Sequence, residues 1–219
     1  GFEVNDLGYL LRASTLYGDS YIGYAITKPA SIFRRISFES DFSYYFDWEG
    51  NITKLYLDNK GYGTFKNLWN FNYHFARSFN ITNNTLLRGG PAIKLPSFWE
   101  FQFGLSTNNT KKLVGTVVFW NAIYDEDSGK NYEISGQLKY RPINSLKVTL
   151  SGQYGDYSKE LQYVSEEAID QEPRYVFGSL SRETLSFAIR IDFNISPEFT
   201  LQYYGSPYIS SGLYKDFKS

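Results

Sequence analysis

Residues 36–48 alternate between a largely apolar, aromatic set of side chains and a polar set. The first set comprises Ile36, Phe38, Ser40, Phe42, Tyr44, Phe46 and Trp48. Because successive side chains of a β-strand point to opposite faces, this segment predicts a strand with one aromatic face and one charged face. Strands of globular proteins are usually about 5–6 residues long, whereas a tilted strand needs about 9–11 residues to cross a bilayer. The length of the alternation therefore favours the wall of a membrane β-barrel.

The same long alternation recurs along most of the chain. We predict roughly nine or ten strands, over residues 17–26, 33–48, a strand-rich stretch to 79, 99–105, 111–123, 132–140, 146–154, 185–195 and 199–204. Short turns are predicted at 28–32, 141–144 and 196–198, and longer polar loops at 80–97, 124–130 and 156–173. Short turns on one side and longer loops on the other are typical of outer-membrane barrels. The sequence therefore predicts an all-β fold, an antiparallel transmembrane β-barrel.

The composition agrees with a barrel and excludes several other classes. The 219 residues include 20 Tyr, 18 Phe and 4 Trp, yet the mean hydropathy is −0.39, because every second residue of a barrel wall is polar. No apolar run approaches the roughly 18 residues of a membrane helix, so a closed barrel is the spanning structure that remains. A net charge of −1 argues against a nucleic-acid surface. The absence of cysteine excludes disulfides and Cys-ligated metals.

We assign residues 1–14 to an unpatterned lead-in segment and residues 15–219 to part of one barrel domain. The final residues, 216–219, lack the amphipathic strand ending in an aromatic residue that usually terminates a bacterial barrel. We therefore expect a fragment that does not close a barrel alone. Its first strand and its last strand should not pair with each other, but should meet further segments or other chains.

The alternation assigns side chains to the two faces of the wall. The polar residues expected to face the lumen are Arg35, Glu39, Asp41, His74, Glu100, Glu133, Lys139, Arg190 and Asp192. The apolar residues expected to face lipid are Phe38, Phe42, Phe71, Phe101, Ile134, Leu150, Phe187 and Ile191. Mixed charges along a lumen are typical of a porin or a plugged barrel.

Candidate catalytic chemistry finds little support in the sequence. His74 is the single histidine, so a metal site or a His-based triad has too few members. The inner carboxylates could supply the pair that a glycosidase needs about 5–10 Å apart, but the same face carries many basic residues. We predict no catalytic residues, no metal site and no cofactor.

Three segments resemble one family in their residue identities as well as in the alternation of polar and apolar residues. They are residues 1–9 (GFEVNDLGY), 87–91 (LRGGP) and 201–207 (LQYYGSP). The family consists of Bacteroidota surface proteins of undefined function. They pair an N-terminal domain like a family-9 carbohydrate-binding module with a large C-terminal outer-membrane barrel. The resemblance implies a barrel in the bacterial outer membrane, with any carbohydrate module upstream of Gly1, and it offers no established catalytic residues.

The expected function is that of a non-enzymatic outer-membrane barrel that passes or handles a solute, with a glycan-derived solute as one candidate. One alternative is a structural barrel subunit docked in a larger envelope complex. A membrane-embedded glycan hydrolase is a less favoured alternative. The expected partners are membrane lipid, other outer-membrane or surface proteins, and glycan bound through an upstream domain; nucleic acid is not expected.

Overall fold

A computed structural model of the protein describes residues 15–79, 81–83, 86–169 and 172–219. The lead-in segment predicted at 1–14 lies outside the described residues. The strands are β1 (Thr15–Ile26), β2 (Phe33–Asp47), β3 (Ile52–Phe65), β4 (Asn70–Phe79), β5 (Ile81–Asn83), β6 (Ile93–Leu95), β7 (Phe98–Ser106), β8 (Leu113–Tyr124), β9 (Gly129–Ile143), β10 (Leu146–Ile169), β11 (Glu172–Ser196), β12 (Phe199–Gly205) and β13 (Tyr208–Lys218). A short 3-10 turn covers Asp125–Asp127. Within the described residues, no helix is long and apolar enough to cross a membrane.

One antiparallel sheet contains eleven of these strands, in the order β1-β2-β3-β4-β7-β8-β9-β10-β11-β12, with β13 also paired to β11. From β1 to β4 and from β7 to β12, each strand pairs with the next along the chain because short connections join antiparallel neighbours. The small hairpin β5-β6 is inserted between β4 and β7. β12 and β13 pair with successive parts of β11, so together they form one edge, interrupted at Ser206-Pro207. The predicted all-β antiparallel fold is confirmed.

The sheet is open. Within the described residues, β1 pairs only with β2, and β12 and β13 pair only with β11. The first and last strands therefore do not pair with each other, as the sequence predicts. Two free edges remain, and each exposes unpaired backbone N–H and C=O groups.

The connections divide between the two ends of the sheet. We call one end the short-turn edge; it carries the connections 27–32, 66–69, 107–112, 144–145 and 197–198. The opposite end, the loop edge, carries 48–51, the described residues 86–97, 125–128 and the ends of β10 and β11 at Ile169 and Glu172. The short turns predicted at 28–32, 141–144 and 196–198 thus lie at one edge, and the described parts of the loops predicted at 80–97 and 124–130 lie at the other.

The prediction of a loop at 156–173 is wrong. β10 and β11 span 24 and 25 residues and stay paired as far as Ile169 and Glu172. This part has no clean alternation, so it gives no strand signal. It forms strands because the hairpin extends a hydrogen-bond ladder already set up in the sheet, which requires no apolar face. Cross-strand contacts add to it: Arg182 lies over the Tyr157 ring, 4.7 Å from the centroid.

The C-terminal residues also differ from expectation, because Tyr208–Lys218 form β13. This strand is exposed along its whole length and mixes polar with apolar residues on both sides. It pairs with the upper half of β11, from Phe177 to Ser186. β13 forms because the long β11 offers unpaired backbone groups beside it. The alternation in the sequence predicts only residues 185–195 of β11, so it gives no sign of this pairing.

No second layer covers the described part of the sheet. The accessible surface is 15015 Å², whereas a globular protein of this mass exposes roughly 10,000 Å². Among the described residues the buried hydrophobic side chains are few, and two of the three are alanines: Ala76, Leu87 and Ala122. A conventional core therefore does not stabilise this sheet, and its apolar residues need cover from something else.

Aromatic rings cover two glycines of β3. Gly61 pairs with Tyr73 and Gly63 with Phe71 on β4, and each ring lies across its glycine where a Cβ would collide with it. Glycine is needed at these positions because the close approach leaves no room for a side chain. The rings in turn shield backbone that the missing side chains would leave bare.

Candidate functional site

Cross-strand pairing defines a polar face of the sheet, because directly paired residues point to the same side. One ladder crosses from β2 to β9 through Glu39, Lys60, His74, Gln102, Trp120 and Glu133. All of the residues predicted to face the lumen lie on this face: Arg35, Glu39, Asp41, His74, Glu100, Glu133, Lys139, Arg190 and Asp192.

The opposite, apolar face carries all of the residues predicted to face lipid: Phe38, Phe42, Phe71, Phe101, Ile134, Leu150, Phe187 and Ile191. Most of them are well exposed; Phe187 is 55% exposed and Ile134 is 49% exposed. The structure therefore separates the two sets cleanly. That lipid covers one face and water the other stays a prediction.

The apolar residues form a belt of limited height. On β9 the belt runs from Tyr132 to Tyr140, about 27 Å along the strand. At its margin toward the loop edge the same face becomes polar: Asp156 on β10 lies opposite both Tyr132 on β9 and Glu183 on β11. A belt of about 25 Å with aromatic residues at its margins is typical of outer-membrane barrels.

Lys60 is the centre of a charged cluster on the polar face. Its Nζ lies 3.0 Å from an oxygen of Asp41, 3.6 Å from Glu39 and 3.7 Å from Asp58. Asp41 and Asp58 are directly opposite each other on β2 and β3. Two carboxylates at that spacing repel each other, so the ammonium group between them offsets the repulsion.

His74 connects this cluster to β7. Its Nε2 lies 3.0 Å from Asp58 Oδ1, and its Nδ1 lies 4.0 Å from Glu100 Oε1. Glu100 also accepts hydrogen bonds from Trp120 Nε1 at 2.6 Å and from the Tyr56 hydroxyl at 3.2 Å. A continuous network of charged and hydrogen-bonded groups therefore crosses the polar face from β2 to β8.

A second charged cluster lies near the short-turn edge. Asp192 contacts Lys147 Nζ at 2.6 Å and Arg190 Nε at 2.9 Å. Between the two clusters, Glu133 accepts a hydrogen bond of 2.7 Å from the Tyr157 hydroxyl. The carboxylates predicted on this face are therefore engaged by neighbours on adjacent strands.

Arg77 forms a separate ion pair at the loop edge. Its guanidinium donates two hydrogen bonds to Asp125, at 2.8 Å and 2.5 Å, and lies 4.8 Å from the centre of the Trp99 ring. Asp125 lies in the 3-10 turn after β8. The hydrogen bonds from Arg77 hold the pKa of the Asp125 carboxyl below its ordinary value, with the Arg77 charge acting in the same direction.

These ion pairs and hydrogen bonds connect neighbouring strands and line a polar surface. A glycosidase needs an unpaired acid and base facing each other across a sugar, whereas Asp41, Asp58 and Glu100 are each held by partners. In the described part of the chain, no grouping of three or more His, Asp or Glu side chains is suited to a metal ion.

Residues 86–97, which precede β7, cross the loop-edge end of the sheet. Leu87 is buried, and Gly90 lies so close to the Tyr175 hydroxyl on β11 that a Cβ would come within 2.5 Å of it. Residues 94–97 also line a small cavity with Asp125 and Leu161. The sequence predicts only a loop at 80–97, and nothing in its pattern indicates where that loop goes.

Sequence reasoning also missed the partners of the predicted residues. Asp58 and Lys60 lie in a part of β3 where glycines interrupt the alternation, so their face could not be assigned. Arg77 is a charged residue among the aromatic residues of the apolar face, and its pairing with Asp125 depends on the fold. The one signal in the sequence is the acidic turn at 125–127.

Comparison with known proteins gives one family. The pattern that defines a domain of unknown function, DUF5916, matches residues 1–219. No curated protein matches the chain, and no solved structure matches it.

Proposed function

The chain belongs to the DUF5916 family over residues 1–219, and from the geometry of its sheet we propose that it forms part of a transmembrane β-barrel in a bacterial outer membrane. The barrel passes a solute and is not an enzyme. The observation that carries this proposal is the separation of the two faces: every predicted apolar residue lies on one exposed side and every predicted polar residue on the other.

The exposure of the apolar face supports a lipid environment. Large apolar side chains cover that face, and no second layer of described residues lies over them. Exposed apolar patches of this extent are rare in soluble monomers. Lipid removes the need for a second layer, because the hydrocarbon core solvates apolar side chains directly. The bounded height of the belt supports the same conclusion.

The free edges support closure by further strands. An unpaired edge cannot stay in lipid, because each backbone group left without a partner costs several kcal/mol. β1 and the β12-β13 edge therefore pair with further strands in the membrane, and the polar face then becomes the lining of the lumen.

The resemblance in residues 1–9, 87–91 and 201–207 supports a finer assignment. We place the protein among Bacteroidota surface proteins in which a carbohydrate-binding module precedes the barrel. On this basis the solute is glycan-derived, and the partners are membrane lipid and other proteins of the cell surface.

A second candidate function is a structural barrel that conducts nothing. The segment containing Leu87 and Gly90 favours it, because this segment lies across the loop-edge end of the sheet toward Tyr175. A barrel plugged in this way serves as a docking subunit of an envelope complex. A hydrolase has less support, because Asp41, Asp58 and Glu100 on the polar face are each held by partners.

Conductance separates these candidates. The full-length protein is reconstituted into planar bilayers, and its insertion is verified by heat-modifiable migration in detergent gels. Discrete conductance steps are the expected result for a solute channel. Verified insertion with no conductance would favour the structural subunit, and failure to insert at all would overturn the membrane assignment.

A further inference from the structure

A cavity of about 530 Å³ lies on the polar face beside the short-turn edge. Its described lining includes four cationic side chains, Lys111, Lys112, Lys139 and Arg141, and no carboxylate. Volumes of about 300–1,000 Å³ are typical of sites for small molecules. A lining with four positive charges and no negative charge is suited to an anion.

The structure gives these four charges no ionic partner among the residues that it describes. Among the described residues, no carboxylate oxygen lies within 4.0 Å of any of the four, although Lys112 Nζ donates to the Pro142 carbonyl at 2.9 Å. Lys147, at the same edge, contrasts with them because it is 2.6 Å from Asp192. Like charges close together repel one another, so an anion bound among them relieves that repulsion.

Neutral donors complete the lining. Asn70, Asn72 and Asn109 bring amide groups to the cavity. The Asn70 carbonyl oxygen accepts hydrogen bonds of 2.8 Å from both Tyr62 and Thr64, which orients this amide. Glycine at position 104 on β7 leaves the space that the Asn72 amide occupies, since a Cβ there would collide with it.

The position of the cavity favours a soluble ligand over a lipid headgroup. Asn72 and Lys139 belong to the polar face by their strand pairing, so an occupant reaches them from the lumen side. The charged cluster around Lys60, which contains Glu39, Asp41 and Asp58, lies on the same face but farther from the short-turn edge. The positive potential is thus concentrated at one mouth of the lumen.

We propose that this cavity binds the anionic group of the solute, a carboxylate, sulfate or phosphate. The proposal rests on the proposed function, because it assigns a substrate class to the same lumen. Arg141 supplies a planar pair of donors that matches a carboxylate or phosphate, and the lysines add point charges. The amides then hydrogen-bond the neutral part of the molecule.

Calorimetry on the full-length protein in detergent micelles tests the binding. The probes are digalacturonate, a sulfated disaccharide, pyrophosphate and neutral galactobiose, which together distinguish the three anionic groups from the sugar. At least one anionic probe is expected to bind and galactobiose is not. Lys139→Gln with Arg141→Gln should weaken that binding about tenfold or more, since two charge-assisted contacts are lost.

The matched control is Lys147→Gln, which removes a positive charge at the same edge but outside the cavity lining. Its affinity for the anionic probe should stay unchanged. Equal losses in the control and in the double variant, or no binding of any anionic probe, would overturn the proposal. Heat-modifiable migration of each variant verifies that it is folded.

Two further readouts separate this proposal from the proposed function. Anion binding by a protein that does not conduct supports the site and contradicts the channel, whereas a channel that binds no anion contradicts the site alone. Vesicles with and without phosphatidylglycerol test a lipid surface as the occupant. A double variant that loses only its association with anionic vesicles, and keeps its solute binding, would overturn the proposal.

Discussion

Lys60 on β3 and Asp41 on β2 form an ion pair of 3.0 Å on the polar face, diagonally across the strand pair. Asp58, directly opposite Asp41, is also within 3.7 Å of Lys60. One lysine therefore holds two carboxylates together midway along β2 and β3, and its removal should destabilise the pairing of both strands.

Lys60→Gln is expected to destabilise the inserted protein by about 1 kcal/mol, a value that allows for the partial exposure of the lysine. The loss arises because Asp41 and Asp58 then face each other without a cation. Adding Asp41→Asn should recover most of the loss by removing the repulsion. Urea titrations in liposomes measure both variants, with Lys130→Gln as a control outside the cluster. Strictly additive costs would contradict the coupling.

Phe187→Arg and Ser186→Arg test the identity of the two faces. Phe187 is 55% exposed on the apolar face, and an arginine there should cost about 2–4 kcal/mol if lipid covers it. Ser186 lies on the polar face beside a cavity of about 400 Å³, which leaves room for a hydrated cation, so the cost should be much smaller. Urea titrations of protein folded into liposomes provide the values. Equal costs would mean that neither face is lipid.

Acid should weaken the contact at the loop edge. The pKa of Asp125 is lowered by Arg77, so the ion pair stabilises the protein above the ordinary aspartate pKa, about 3.9. That contribution is lost as the pH falls through the lowered pKa. Asp125→Asn should therefore lower the urea midpoint at neutral pH, and the difference from the unmodified protein should disappear in strong acid. Asp127→Asn, in the same turn, is the control and should change little; a difference independent of pH would contradict the assignment.

Gly61→Ala should destabilise the sheet, because the new Cβ meets the Tyr73 ring. Overpacking of this kind typically costs about 1–3 kcal/mol. Gly23→Ala is the matched control: its Cβ would be 3.7 Å from the nearest atom, the Phe38 carbonyl oxygen, which is an ordinary contact. Thermal unfolding followed by circular dichroism compares the two. A similar effect at both positions would show that the ring does not lie on Gly61.

The faces of the sheet could be predicted because they follow from a period of two within each strand. Phe38 and Glu39, for example, are assigned to opposite sides by adjacency alone. The partners across strands could not be predicted, because they depend on register: a shift of one residue on β3 would bring Gly61 instead of Lys60 beside Glu39. In addition, the alternation identifies a strand only where one of its faces is apolar and the other is polar.

That limit explains the error at 156–173. Beyond Asp156 and Glu183 both sides of the β10-β11 hairpin are polar or mixed, so the period of two disappears while the hydrogen-bond ladder continues. The path of residues 86–97 toward Tyr175 was beyond prediction for another reason. It depends on which distant strand ends are available at the loop edge, and no local pattern encodes that.

The length of the β10-β11 hairpin determines how far the protein would extend from the cell surface. From Asp156 to Ile169 the hairpin continues for roughly 40 Å beyond the apolar belt. With the loop edge outside the cell, Ile169 and Glu172 at the far end of this paired region would stand clear of the headgroups, where antibodies, phages and proteases encounter them first. Selection for escape from such encounters would then act on this end of the hairpin independently of the wall below it.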